Sequence, residues 1–281
     1  MSNTTTSLAS TRIDSVLDAN SFVEIGASIT ARSTDFNLTG IQTPSDGVIT
    51  GYGVIDGNLV YVYSQDVSVL NGTIGEMHAK KIANLYDLAM KTGAPVIGLL
   101  DCAGLRLQEA TDALNAFGEI YRKQALASGV IPQITGIFGI CGGGLAIFPA
   151  LTDFTFMADK GARLFVNSPN AIEDNYEEKC DTSSALYQSE ETGLVDGVGS
   201  EEEILQKIRT LVTMLPSNNE DDASYEECTD DLNRVCSELV NCVGDTAIAL
   251  SQISDNHIFF EIKENYAQEM VTGFIKLNGM T

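Results

Sequence analysis

Three consecutive glycines, Gly142, Gly143 and Gly144, lie within GICGGGLAIFPALTDFTFM at residues 139–157. What they can offer chemistry is backbone, not side chain. Without Cβ atoms the chain can take positive φ and let a ligand or a second backbone approach closely. If a helix starts at Leu145, the amides of Gly143 to Leu145 are first-turn donors with no partner inside that helix, and the positive end of its dipole lies behind them. Amides held this way stabilise negative charge as it develops on a carbonyl oxygen, which is how an oxyanion hole works. The same cluster also fits a tight turn that does no chemistry. These residues alone leave both readings open.

Side-chain catalysts are scarce. There are two histidines, and His78 lies on a lysine-bearing helical stretch, where it reads as a surface or packing residue rather than a base. No G-x-S-x-G nucleophile elbow is present. The six cysteines, at 102, 141, 180, 228, 236 and 242, form neither a C-x-x-C pair nor a regular metal spacing. They read as reduced, mostly buried thiols of a cytoplasmic protein, and no metal is expected.

The glycines need a scaffold, and the surrounding text supplies an α/β one. ITGIF, an apolar run, leads into them as a buried strand. Upstream, residues 11–19 read as a short amphipathic helix. GVITGYGVIDGNLVYVYSQD (47–66) places two alternating β-branched and aromatic runs around Asp56-Gly57, a hairpin signal. Residues 71–93 carry apolar side chains near helical spacing, with Gly93 as the stop. APVIGLLD (94–101) reads as a strand buried on both faces, and a second helix covers roughly 108–128. DFTFMA and ARLFV follow the glycines as short strands. The repeating unit is therefore strand–strand–helix rather than a Rossmann βαβ, whose G-x-G-x-x-G is missing. Beyond Leu194 the text turns helical through EEEILQKIRTLVTML, then acidic, then helix-like again to about 253. The final stretch, NHIFFEIKENYAQEMVTGFIKLNGMT, is expected to begin a helix and a new strand whose partners come from elsewhere.

At 281 residues the chain can form one large domain or two small ones. The net charge of −23 excludes a nucleic-acid-binding role. Between Glu173 and Asp231, 18 acidic residues stand against Lys179, Lys207 and Arg209, which reads as a solvated acidic surface. Lys80, Lys81, Lys91, Arg106, Arg122 and Lys123 cluster earlier, so an anionic ligand is expected in the N-terminal half. Gln124 to Thr152 carries no charge, but Pro132, Pro149 and its glycines make it a buried core rather than a membrane span. MSNTTTSLAS has neither a basic start nor an apolar run, so no signal peptide is readable.

Several segments together resemble the carboxyltransferase family of biotin-dependent acyl-CoA carboxylases and decarboxylases, which includes propionyl-CoA carboxylase β subunits and methylmalonyl-CoA and glutaconyl-CoA decarboxylase α subunits. They are GVITGYGVIDGNLVYVYSQD, GEMHAKKI, DCAGLRLQEA, ASGVIPQITGIFGICGGGLAIFPALTDFTFM, LPSNN and FFEIKENYAQEMVTGFIKLNG, in family order. The similarity is to the family's N-terminal half plus the first residues of its C-terminal half. It implies a single crotonase-like (ClpP/crotonase) domain over 1–255, with 256–281 beginning a truncated or split second half. It also implies a reaction in which an acyl-CoA exchanges a carboxyl group with biotin, carried on a biotin carboxyl carrier protein, through a thioester enolate. By the same resemblance Gly143 and Gly144 hold the thioester oxygen, while Gly142, Ala103, Gly104, Leu105 and Arg106 line the CoA-ester site. Backbone amides plus a cofactor that moves the proton suit a sequence this poor in side-chain catalysts. A C-terminal carboxyltransferase half, trimeric or hexameric homo-oligomers, and a cytoplasmic location, at most peripheral to a membrane decarboxylase complex without inserting, are further implied.

Some positions depart from the family pattern. DCAGLRLQEA stands where DSGGARIQEG is usual, so a serine and a glycine are replaced by Cys102 and Ala103, and Leu105 stands for alanine. After SPNAI an acidic EDNYEEKCDTSSALYQ replaces a glycine-rich stretch. Two rival readings are a non-catalytic structural subunit and a stand-alone acyl-CoA hydratase or hydrolase. The second of these would need Glu76 or Glu109 poised on the acyl group.

Overall fold

The Asp56-Gly57 turn closes the hairpin that the alternation predicts, and a computed structural model shows what is built around it. It describes residues 7–32, 40–167, 181–221 and 227–281. The chain runs α1 (Leu8–Val16), β1 (Val23–Glu24), β2 (Val48–Ile55), β3 (Asn58–Gln65), α2 (Glu76–Thr92), β4 (Val96–Cys102), α3 (Ala110–Ala127) and β5 (Gln133–Gly142). It continues through α4 (Ile147–Leu151), β6 (Phe154–Ala158), β7 (Arg163–Phe165), α5 (Ala185–Glu190), β8 (Gly197–Gly199), α6 (Glu201–Met214), α7 (Thr246–Ile253), β9 (Phe259–Ile262) and β10 (Thr272–Ile275).

The main sheet has the order β1-β2-β3-β4-β5-β6-β8, antiparallel through the β2–β3 hairpin and parallel from β3 onward. Every residue of β4 is buried, as an apolar strand with helices on both faces requires. α1 packs with α6 and α2 with α3, and both pairs contact strands of the sheet or its flanking turns. β2, β3 and α2 form the expected strand–strand–helix unit, and Gly93 ends α2 in the left-handed region at φ 66°. α6 begins with a full capping box, Ser200 with Glu203.

β5 carries the feature that shapes the site. Its first half pairs with β6 at Ile134–Ile137, and its last residues pair with β7 at Ile140–Gly142. Between these the register against β4 shifts, so that Leu100 faces Ile137 but Cys102 faces Cys141. The bulged stretch includes Gly139, where a Cβ would lie 1.9 Å from Asp101 Oδ1. Asp101 in turn receives a hydrogen bond from the buried Arg12 guanidinium at 3.1 Å, and Arg12 lies over the Phe138 ring. A bulge of this kind re-aims the end of a strand.

Three expectations change. α1 starts at Leu8 rather than residue 11, because the Ser7 hydroxyl accepts from the Ser10 amide and caps it. The turn after β5 becomes helical at Gly143, two residues earlier than expected, and the α-helical part is only Ile147–Leu151. The final stretch forms no α-helix. β9 and β10 pair with each other, from Phe259↔Ile275 to Ile262↔Thr272. Gly273 makes that pairing possible, since a Cβ there would meet Phe260 O and the Phe259 ring. The pair docks on the domain edge-on, Phe274 against Phe154 and Phe260 against Phe156.

Candidate functional site

The glycine turn and the Cys102–Arg106 loop sit side by side. β4 and β5 are parallel neighbours, so the loops leaving their C-terminal ends emerge together. A Cβ on Gly104, itself at φ 101°, would lie 3.4 Å from Gly142 O. The glycine turn and the backbone of the Cys102–Arg106 loop thus meet at the C-terminal ends of two central strands.

Each glycine of the turn has its own reason to be glycine. At Gly142 a Cβ would strike the Phe165 ring at 2.8 Å, so β7 can close against β5 only without a side chain there. Gly143 is at φ 64°, and a Cβ on it would meet nothing within 4 Å. Gly144 is not in the left-handed region; its missing Cβ leaves room for the Tyr121 hydroxyl, which would otherwise be 2.9 Å away. The amides of Gly143 and Gly144 belong to the first turn of the helical segment, where no preceding carbonyl of that segment can accept from them. Among the turn and loop hydrogen bonds of the described residues, neither amide is a donor. Gly144 is exposed and Gly143 partly so. Because the segment is a 3₁₀ turn of four residues followed by a five-residue helix, its dipole is small. Any stabilisation of an oxyanion falls on the amides themselves.

The neighbouring loop is zipped to residues 71–74. Ala103 N donates to Asn71 O, Ile74 N to Gly104 O, and Arg106 N to Ile74 O. Ala103 is exposed, Leu105 half-buried against the core, and Leu107 almost fully exposed at 78%. Cys102, which stands where serine is usual, is sealed beneath the loop. Its sulfur accepts from Gly104 N at 3.2 Å, and burial pushes its thiol up to about 12. Burial also raises the Cys141 thiol well above the ordinary range. Neither cysteine is a nucleophile at neutral pH.

Arg106, expected to line the site, points its side chain away from solvent. The guanidinium is fully buried, 2.5 Å from Asp46 Oδ1 and 3.0 Å from Glu109 Oε1, and it donates to Thr73 O at 2.6 Å. Glu109 Oε2 accepts from the Glu76 amide at 2.6 Å. Asp46 Oδ2 accepts from the His78 amide at 2.7 Å, and burial raises the Asp46 carboxyl despite the guanidinium beside it. His78 is buried rather than on the surface. Its Nδ1 faces the Asp46 carbonyl at 2.9 Å, so Nδ1 carries the proton and Nε2 accepts from Gln65 Nε2 at 3.3 Å. Burial depresses its pKa well below the usual range, so it stays neutral. The role of Arg106 is thus to hold the loop from behind rather than to touch a ligand with its side chain.

The other expected groups are also committed. Glu109 is inside this ion cluster, and Glu76 pairs with Lys80 and Arg32. Lys80, Lys81, Arg106, Arg122 and Lys123 are each engaged within the chain, so the basic segment is mostly neutralised locally. Among the described residues no cluster of His, Cys, Asp or Glu could hold a metal ion, and no helix is long and apolar enough to cross a membrane. SPNAI and residues 173–180 of the acidic replacement lie outside the described residues, while its last residues lead into α5, which Ser184 caps. Asp46 and Tyr121 were not legible as site residues. Asp46 sits in a Pro-Ser-Asp-Gly turn that reads only as a loop, while Tyr121 follows Phe117 at helical spacing and reads only as packing.

Residues 3–281 match the model of the carboxyl transferase domain family. The chain is 38% identical to the propionyl-CoA carboxylase beta chain of Roseobacter denitrificans, over 96% of this chain and 55% of that one. It is 38% identical to methylmalonyl-CoA decarboxylase subunit alpha of Propionigenium modestum, over 95% of this chain and 54% of that one. The crystal structure of transcarboxylase 12S, a hexamer assembly with methylmalonyl-coenzyme A and methylmalonic acid bound, superposes with a TM-score of 0.90. Its identity is 32%, covering 97% of this chain and 55% of that one. The chain spans about half the length of the curated relatives it matches.

Proposed function

Since the chain belongs to the carboxyl transferase domain family and has its crotonase-like α/β fold, we propose that it is the acyl-CoA-binding half of a biotin-dependent carboxyltransferase. Residues 1–255 form the CoA-ester domain, and 256–281 begin the half that would complete it. The observation that carries this reading is the pair of first-turn amides at Gly143 and Gly144, set beside the Cys102–Arg106 loop at the open end of two parallel strands.

The thioester of a CoA ester would lie across the two loops, with its carbonyl oxygen facing these amides. Loss of the carboxyl group from the carbon next to that carbonyl, or loss of that carbon's proton before a carboxyl group is added, leaves an enolate with its negative charge on the oxygen. The amides are fixed before the charge appears, so they stabilise the enolate more than the ester. Biotin, arriving on a carrier protein, would supply or accept the carboxyl group. No residue of this chain is assigned to hold it. Cys102 and Cys141 are held protonated and His78 neutral and buried, which leaves the backbone as the reactive surface of the turn. Relatives that are subunits of such carboxylases and decarboxylases, and a hexameric structural neighbour, support assembly with a C-terminal half into homo-oligomers of trimeric or hexameric order.

Titration calorimetry with propionyl-CoA tests this directly. Residues 1–281 are expected to bind the ester saturably, yet to transfer no carboxyl group between methylmalonyl-CoA and free biotin until a C-terminal half is added. Absence of saturable ester binding would overturn the reading.

A further inference from the structure

Tyr121 lies on α3, eleven residues after the helix leaves the Leu107–Glu109 turn of the substrate loop. Its hydroxyl donates to Gly144 O at 2.6 Å. Two rings fix the direction of that hydroxyl. Phe117 lies 5.9 Å from the Tyr121 ring, and Phe148, fully buried, meets it edge-on at 5.6 Å and 87°. Phe117 and Phe148 also pack on each other. The phenol therefore reaches the glycine turn from a locked side chain, not from a mobile one. The carbonyl it holds belongs to the peptide that joins Gly144 to Leu145 and also accepts from the Ile147 amide, so the phenol and the 3₁₀ turn together hold that peptide plane and the amides on either side. The missing Cβ of Gly144 is the space the hydroxyl occupies. One helix thus anchors both arms of the site: the loop at its start through Arg106 and Glu109, and the turn through Tyr121.

We propose that Tyr121 is a positioning residue that aims the Gly143 and Gly144 amides at the thioester oxygen through its hydrogen bond to the Gly144 carbonyl. This rests on the acyl-CoA reading above. It goes beyond that reading because it assigns part of the oxyanion geometry to a side chain that need not touch the ester.

The test is Raman difference spectroscopy of propionyl-CoA carrying an isotope-labelled thioester carbonyl, bound to the full chain and to Tyr121→Phe. Phenylalanine keeps the contacts to Phe117 and Phe148 and removes only a partly solvated hydroxyl, so the variant is expected to fold. In the parent chain the carbonyl stretch should move to lower frequency on binding, as hydrogen bonds to its oxygen weaken the double bond. In Tyr121→Phe the affinity should stay within about threefold, because most ester affinity lies away from the carbonyl, while the shift falls by about half. An equal shift in both proteins would overturn the proposal and leave the oxyanion reading standing. No shift in the parent chain would overturn both. A merely structural role for Tyr121 would lower stability without changing the carbonyl frequency.

Discussion

Arg106→Met is expected to destabilise the chain by about 3–5 kcal/mol, close to the whole margin of many domains. The guanidinium lies between two buried carboxylates, Asp46 at 2.5 Å and Glu109 at 3.0 Å, and none of the three side chains reaches solvent. Methionine has similar reach but leaves both carboxylates without a cation. It also removes the donor to Thr73 O, which helps tie the substrate loop to residues 71–74. The loss should depend on pH in a defined direction. Burial already raises the Asp46 carboxyl, and Arg106 is what opposes that rise. Without it the folded-state pKa goes higher. A carboxyl raised in the folded state contributes stability fully below its unfolded pKa of about 4, and loses it as pH rises through the folded value. The variant should therefore sit nearest the parent at acidic pH and fall behind towards neutrality. Urea denaturation at several pH values reads both effects. A loss below about 1 kcal/mol at pH 7 would show that the ion cluster is not what holds the loop.

Gly143→Val should reduce turnover on the order of a hundred- to a thousandfold in enzyme reconstituted with a C-terminal half, the cost of one lost oxyanion donor elsewhere. The backbone is at φ 64°, where a β-branched residue is strained by roughly 1–2 kcal/mol. The side chain itself would clash with nothing within 4 Å at its Cβ. The variant should therefore fold, with its amide displaced and its methyl groups in the space proposed for the thioester. Affinity for CoA should survive better than turnover, since contacts along the nucleotide and pantetheine do not depend on charge at the carbonyl. Circular dichroism controls for folding. Normal turnover in a folded, assembled variant would reduce the cluster to a packing turn.

The fold was largely legible because its signals are local. Asp56-Gly57 closes a hairpin, Gly93 stops a helix, and an uninterrupted apolar run makes β4. The glycine cluster was legible as a turn, but the reasons for its three glycines were not. Only Gly143 needs positive φ; Gly142 yields to Phe165 and Gly144 to Tyr121, each brought in from another segment. The direction of the Arg106 side chain was not legible for the same reason. Its partner Asp46 lies 60 residues away in sequence, and no spacing rule links them. A motif fixes where a loop runs, whereas the direction of a long charged side chain depends on which carboxylates the fold delivers beneath it. The closing stretch misled through composition. The stretch reads as the start of a helix and a strand, yet Phe259, Phe260, Phe274 and Ile275 pair across a strand ladder that covers Phe154 and Phe156.

If the Gly143 and Gly144 amides receive the thioester oxygen, a crystal structure of the chain with propionyl-CoA will show that contact. That oxygen is expected at about 2.7–3.1 Å from both amide nitrogens, with the acyl group beside Ala103 and Gly104. A well-ordered ester whose carbonyl oxygen faces solvent or another donor set, with both amides left to water, would contradict it.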